Sequence, residues 1–261
     1  MVNESAGPQK AEDVGEFFSS AWTVYRKCLE TNMLRHREFF SLLWKELNSR
    51  IPPGGVVVDL ACGDASHVIS VFPKGVQYLG VDLAKPALDL ASHNLKSAGI
   101  VHQLVQEEFQ SFVKNYPGEA CIDGVLISYS LHHLDSMSKN KLFIDILRIL
   151  KPGGTLWVID GIRQHGDTRD KWLERLWNLM SREGEGHLSH AELSGLKEHI
   201  WKSDFPESCP GYAAMALQAG FEIWEFLLEE GDGALGMFRA LKRKAKGPAN
   251  QVCAASNKTN A

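Results

Sequence analysis

Five short apolar runs, VVVDL (56–60), VQYLGVDL (76–83), VHQLV, GVLISYS and TLWVID, recur between residues 56 and 160, and stretches of helical period separate them. Strands that alternate with helices pair in parallel through crossovers, which buries the sheet on both faces. The β-branched run Val56-Val57-Val58 fits a strand covered on both sides. A helix is expected through Val68 after the first run and another from about Pro86 to Ala98 after the second. Before the first strand, Pro52-Pro53-Gly54-Gly55 stops a helix whose stripe is His36, Phe40, Leu43, Trp44 and Leu47. An earlier helical piece holds Phe18, Trp22, Tyr25 and Leu29. After Lys151-Pro152-Gly153-Gly154 and the fifth strand come two more amphipathic stretches, around Trp172 to Met180 and Leu193 to Ile200. FEIWEFLLEE and ALGMFRALK, joined through Gly231-Asp232-Gly233, read as a closing antiparallel hairpin. The expectation is α/β: a seven-stranded, mostly parallel sheet with helices on both faces.

The chain has 261 residues, one large or two small domains at roughly 150 residues each. Residues 1–13 and 246–261 are small and polar and read as disordered ends, leaving 14–245 as one domain. Lys and Arg number 28 against 32 Asp and Glu, a net charge of −4, which argues against a nucleic-acid partner. The one basic cluster, Arg239, Lys242, Arg243, Lys244 and Lys246, reads as a solvated terminus. Five scattered cysteines without a CxxC pair suggest neither disulfides nor zinc and fit a reducing, cytoplasmic setting. Residues 1–15 lack an apolar leader, and no run of about 18 apolar residues suggests a membrane span.

VVVDLACGDASHV (56–68) places Asp59 at a strand end and then a turn of small residues with Ala61 and Gly63. Such a turn lets backbone N–H groups approach a ligand, although Ala61 and Ser66 stand where a dinucleotide fingerprint has glycine. Asp82 ends the next strand, 19 residues beyond Gly63. A carboxylate there accepts the ribose hydroxyls of an adenosine-type ligand; the competing reading is a local cap.

From these residues onward the chain resembles a class I S-adenosylmethionine-dependent methyltransferase of the small-molecule type. The resemblance rests on the DxxCG turn Asp59 to Gly63, Asp82 with Leu83 beside it, Glu108 followed by Phe109 after the third strand, Ser128 with Leu131-His132-His133-Leu134 after the fourth, and LKPGGTLWVID (150–160). It implies a Rossmann-like fold and S-adenosylmethionine as cofactor. The turn, with Ala61, would face the methionine part, Asp82 the ribose, and Glu108, with Glu107 its close competitor, the adenine. It also implies a helical lid, here segments 14–50 and 161–220, under which Tyr25 would close over the cofactor.

Methyl transfer needs in-line positioning above all, and a neutral oxygen or nitrogen acceptor must also lose a proton. His133, with His132 the alternative, stands past the fourth strand as base candidate. His187, His190 and His199 in the inserted region, and Arg35, His36 and Arg37 before the sheet, are candidates to face a small-molecule acceptor. No pair has the HExxH spacing, and no metal site is expected. A carboxylate or thiol acceptor remains open. So do two rival readings, a cofactor-binding regulatory protein without turnover and, less well supported, a nicotinamide-dependent oxidoreductase.

Overall fold

A computed structural model describes Val24 and residues 26–245. Both terminal segments expected to be disordered, 1–13 and 246–261, lie outside the described residues, as do Phe17, Phe18, Trp22 and Tyr25. Helix α1 (His36–Arg50) precedes β1 (Val56–Leu60), β2 (Gln77–Asp82), α2 (Lys85–Ser97), β3 (His102–Gln106), α3 (Phe109–Asn115), β4 (Ile122–Ser128), α4 (Ser136–Ile149) and β5 (Leu150–Arg163). Then follow α5 (Arg169–Gly184), α6 (His190–Ser203), the short β6 (Glu207–Ser208), α7 (Cys209–Ala219), β7 (Ile223–Glu230) and β8 (Leu235–Leu241).

Seven strands form one path in the order β3-β2-β1-β4-β5-β8-β7, and β6 pairs with the end of β5. The first five are parallel, while β8 runs antiparallel to both β5 and β7. The strand order reverses direction between β1 and β4, so their carboxyl ends flank the crevice where open α/β sheets take ligands. Two apolar clusters cover the faces. One contains Phe39, Leu43, Trp157 and Trp172, and the other Val125, Phe143, Ile146 and Phe238.

One expected element is different. No α-helix follows β1; the chain makes only a three-residue 3-10 turn, Val68–Ser70. β-Branched Val68, Ile69 and Val71 and then Pro73 leave too short a stretch for a helix, because the residue before proline is turned away from the α region. The loop amides after β1 are therefore held by left-handed residues, not by a helix start. Among the described residues no helix is long and apolar enough to cross a membrane. Within 161–220, α7 packs against α4 and β7, away from α5 and α6. The basic run is partly bonded to the body: Lys242 donates to the Leu147 and Leu150 carbonyls, and Arg243 pairs with Glu222.

Helix α1 is fastened to the sheet by more than its buried Phe39, Phe40, Leu43 and Leu47. The carboxylate of Glu46 accepts from Trp157 Nε1 at 3.1 Å, Arg239 at 2.6 Å and Arg50 at 3.0 Å. Burial alone would raise this carboxyl, but Arg239, Trp157 and Arg50 bring it below its ordinary value. Glu46→Ala leaves a buried indole N–H without its acceptor and takes one of two carboxylates from Arg239, which keeps Glu225, and a loss of about 3 kcal/mol is expected in urea unfolding. A loss under about 0.5 kcal/mol would mean that packing alone holds α1.

Candidate functional site

The loop after β1 curls because three alternate residues are left-handed: Ala61 at φ 57°, Gly63 at φ 54° and Ala65 at φ 57°. For the two alanines this costs roughly 1–2 kcal/mol each, strain of the kind kept where a ligand is held. Asp82 fastens the loop from the neighbouring strand. Its Oδ2 accepts the Gly63 N–H at 2.8 Å and its Oδ1 the Ala84 N–H at 2.8 Å. Asp82 thus makes the local turn that was one of the competing readings, and also ties the β1 loop to β2. Burial raises its carboxyl against the pull of those amides.

Asp59 is 3% exposed, and its Oδ2 accepts from Tyr78 Oη at 2.7 Å. Oδ1 is buried without a hydrogen-bond partner. Burial pushes this carboxyl up to about 7, with the Tyr78 bond opposing and Asp82 adding.

These groups line a cavity of about 170 Å³ with Ala61, Leu83, Glu108, Phe109 and Ser128, so the structure brings together every proposed cofactor residue it describes; Tyr25 lies outside them. Glu107 lines it as well. Glu108 has a second task, since its carboxylate caps α3 by accepting from Gln110 N at 2.9 Å and Ser111 N at 2.7 Å.

Three residues of this wall were not singled out for it in the sequence. His36, expected toward the acceptor, is 1% exposed and lies between His67 and Tyr129, with ring centroids 4.4 and 4.3 Å away. Burial and the neighbouring His67 hold it uncharged, down at about 2. Tyr129 has φ 51° and donates to the Leu34 carbonyl at 2.7 Å, joining the end of β4 to the segment before α1. An aromatic residue in that backbone region is an outlier that sequence does not announce.

A second cavity, about 80 Å³, adjoins the first and shares Tyr129 and His133 with it. Its walls are Cys28 and Leu34 from the N-terminal side and Trp172, Leu176, Met180, Leu196 and Ile200 from α5 and α6. Salt bridges tie the two sides together, Arg35 to Glu183 at 2.7 Å and Lys27 to Glu192 at 2.7 Å. Arg37, His187 and His190 are exposed, whereas His199 faces this cavity.

One end of the second cavity is polar. His132 Nδ1 makes a close pair with Asp160, whose other oxygen accepts the His132 N–H at 2.8 Å. Asp204 Oδ1 lies 3.6 Å from His132 Nε2 and 3.4 Å from His133 Nδ1. Burial works against a charge on His132, but Asp160 and Asp204 outweigh it and lift the imidazole to about 9. Burial and that neighbouring charge push His133 well below its ordinary value. Buried Lys139 donates to the Leu134 and Phe205 carbonyls beneath the cluster.

Comparison with known proteins agrees with this geometry. A family model described as a methyltransferase domain matches residues 57–154. An uncharacterized methyltransferase of Synechocystis is 25% identical over 169 residues, 59% of this chain and 74% of that protein. The ubiquinone/menaquinone biosynthesis C-methyltransferase of Hydrogenovibrio crunogenus is 32% identical over 126 residues, 45% of this chain and 48% of that one, so the match spans about half of its length. A Thermotoga maritima structure described as a SAM-dependent methyltransferase, possible histamine N-methyltransferase, superposes with a TM-score of 0.56 at 16% identity, covering 88% of this chain and 99% of that one. Residues 57–154 thus match a methyltransferase domain, set in the Rossmann-like fold that the S-adenosylmethionine-dependent methyltransferases share, and S-adenosylmethionine is the methyl donor that these likenesses indicate.

Proposed function

We propose that the chain transfers the methyl group of S-adenosylmethionine, held in the first cavity, to a small and largely apolar acceptor held in the second. The observation that carries this reading is the junction of the two cavities at Tyr129 and His133. A donor sulfonium and an acceptor brought together there need little dedicated chemistry beyond in-line approach. The apolar walls select a compact molecule, and the histidine and carboxylate end is the one place for a nucleophilic oxygen or nitrogen and its departing proton. Residues 26–50 and the stretch from 161 to α6 act as the lid that keeps water out.

Transfer of labelled methyl to a panel of apolar phenols, amines, thiols, carboxylic acids and hydroquinones tests this directly. Turnover on one of them is expected. Tight binding of donor with no transfer to any would favour a cofactor-binding protein without turnover. Lid closure has its own readout: S-adenosylhomocysteine should slow amide exchange in 26–50 and across α5 and α6, and equal exchange with and without it would remove the lid.

The buried, unpaired Oδ1 of Asp59 suits the donor's α-ammonium. Tyr78, Cys62 and Asp82 are the titratable groups in its field, and only the ionised carboxylate attracts the ammonium. S-adenosylhomocysteine affinity should therefore rise with pH through about 7, where Asp59 loses its proton. In Asp59→Asn the profile should flatten. A wild-type affinity independent of pH from about 6 to about 8 would place the ammonium elsewhere.

A further inference from the structure

His132 and His133 come from the 3-10 turn after β4, and Asp204 from the end of α6. One ring nitrogen of each histidine and one oxygen of Asp204 fall within 4.8 Å of each other. Asp204 Oδ1 is 3.6 Å from His132 Nε2 and 3.4 Å from His133 Nδ1. Donors around a four-coordinate zinc-type ion, at bonds of about 2.1 Å, stand about 3.4 Å apart. Two of the three spacings already have that size.

The support behind the histidine is also in place. Asp160, 0% exposed, holds His132 Nδ1 and is itself fixed by the His132 N–H at 2.8 Å and the Gly161 N–H at 2.7 Å. A carboxylate on the far nitrogen fixes the tautomer and aims the near nitrogen at a metal. With both imidazoles neutral, Asp160 and Asp204 put two carboxylates in a desolvated pocket, where Lys139 and Arg169 offset part of the charge. A proton on His132 answers part of that charge. His133 Nδ1 also lies 3.2 Å from the Ser203 carbonyl, a hydrogen bond that an ion on this nitrogen would replace.

We propose that His132, His133 and Asp204 form a site for one divalent transition-metal ion of the zinc class, supported by Asp160 and open toward the second cavity. Two imidazoles and one carboxylate favour such an ion over magnesium or calcium, which take oxygen donors. Binding of the ion does not depend on methyl transfer. Its use rests on the reading above: a Lewis acid at the open position favours loss of the acceptor's proton to solvent before its lone pair displaces the sulfide from the methyl group.

The test uses the full chain stripped with a chelator and titrated with Zn²⁺ in a calorimeter, with Co²⁺ absorption as the spectroscopic probe and no donor or acceptor present. One equivalent should bind and raise Tm, and the Co²⁺ spectrum should show nitrogen and oxygen ligation without a thiolate charge-transfer band. Asp204→Asn should abolish stoichiometric binding, and Asp160→Asn should weaken it by about 10–100-fold. Circular dichroism confirms that each variant is folded, and His133→Gln serves as the replacement if either is not. No stoichiometric binding by the wild type, a thiolate band from Cys28, or equal binding by the variants would overturn the site. Methyl transfer by the stripped enzyme at the full rate would leave the methyltransferase reading standing and remove the ion from it.

Discussion

Asp82→Ala is expected to weaken S-adenosylhomocysteine binding by at least a hundredfold, read by calorimetry. Two ribose hydroxyls on one carboxylate are charge-assisted bonds worth about 1.5–3 kcal/mol each, so roughly 3–6 kcal/mol is at stake, and each 1.4 kcal/mol is tenfold. The structure adds an indirect loss, because the Gly63 and Ala84 amides lose their acceptor and the strained loop is released. Gly63→Val tests the same loop from its other side. A branched side chain at φ 54° is strained whatever the surrounding space, and its binding should be weaker than that of Asp82→Ala. Affinity within threefold of the parent in both variants would move the donor out of this cavity.

Strand runs and acidic strand ends were legible because both are local. A β-branched run with a carboxylate at its end carries its place in the sheet with it, and so Asp59, Asp82 and Ser128 converge as expected. The helix expected after β1 failed for an equally local reason, the Pro73 that cuts the segment short. What was not legible is whatever depends on distant chain. Asp204 reaches the histidines because the chain leaving α6 returns to the turn after β4, where the Phe205 N–H donates to the His132 carbonyl at 2.7 Å, and no spacing near His132 points to it. Its neighbour Asp160 was visible only as the last letter of a strand, and its bond to His132 is a matter of register between β4 and β5. That unseen pair of carboxylates is why the expectation of no metal ligands now stands against a proposed cation site. His36 was a candidate to face the acceptor from its place before the sheet; its ring stacks on His67 and lies tilted against Tyr129, on the wall of the first cavity.

His133→Ala should lower kcat by about 10²–10⁴ on a phenol or amine acceptor, while S-adenosylhomocysteine affinity stays nearly unchanged. His133 stands at the junction of the two cavities, whereas Asp82 and the β1 loop hold the donor without it. The prediction is common to both readings of the residue. As a base it would take the acceptor's proton; as a ligand it would hold the ion that makes the proton easier to lose. In neither case does the ground-state grip on the donor change, so the loss belongs to kcat and not to donor binding. A purely packing role would look different: Tm would fall, and donor affinity, KM and kcat would suffer together as the lid loosened. The chemistry of the acceptor supplies a second contrast. A carboxylate or thiolate arrives already deprotonated, and on such a substrate His133→Ala should keep most of its rate. Near-parental kcat for both His133→Ala and His132→Ala on a phenol or amine would remove the histidine end of the cavity from the reaction and leave positioning by the two cavities as the whole of the catalysis.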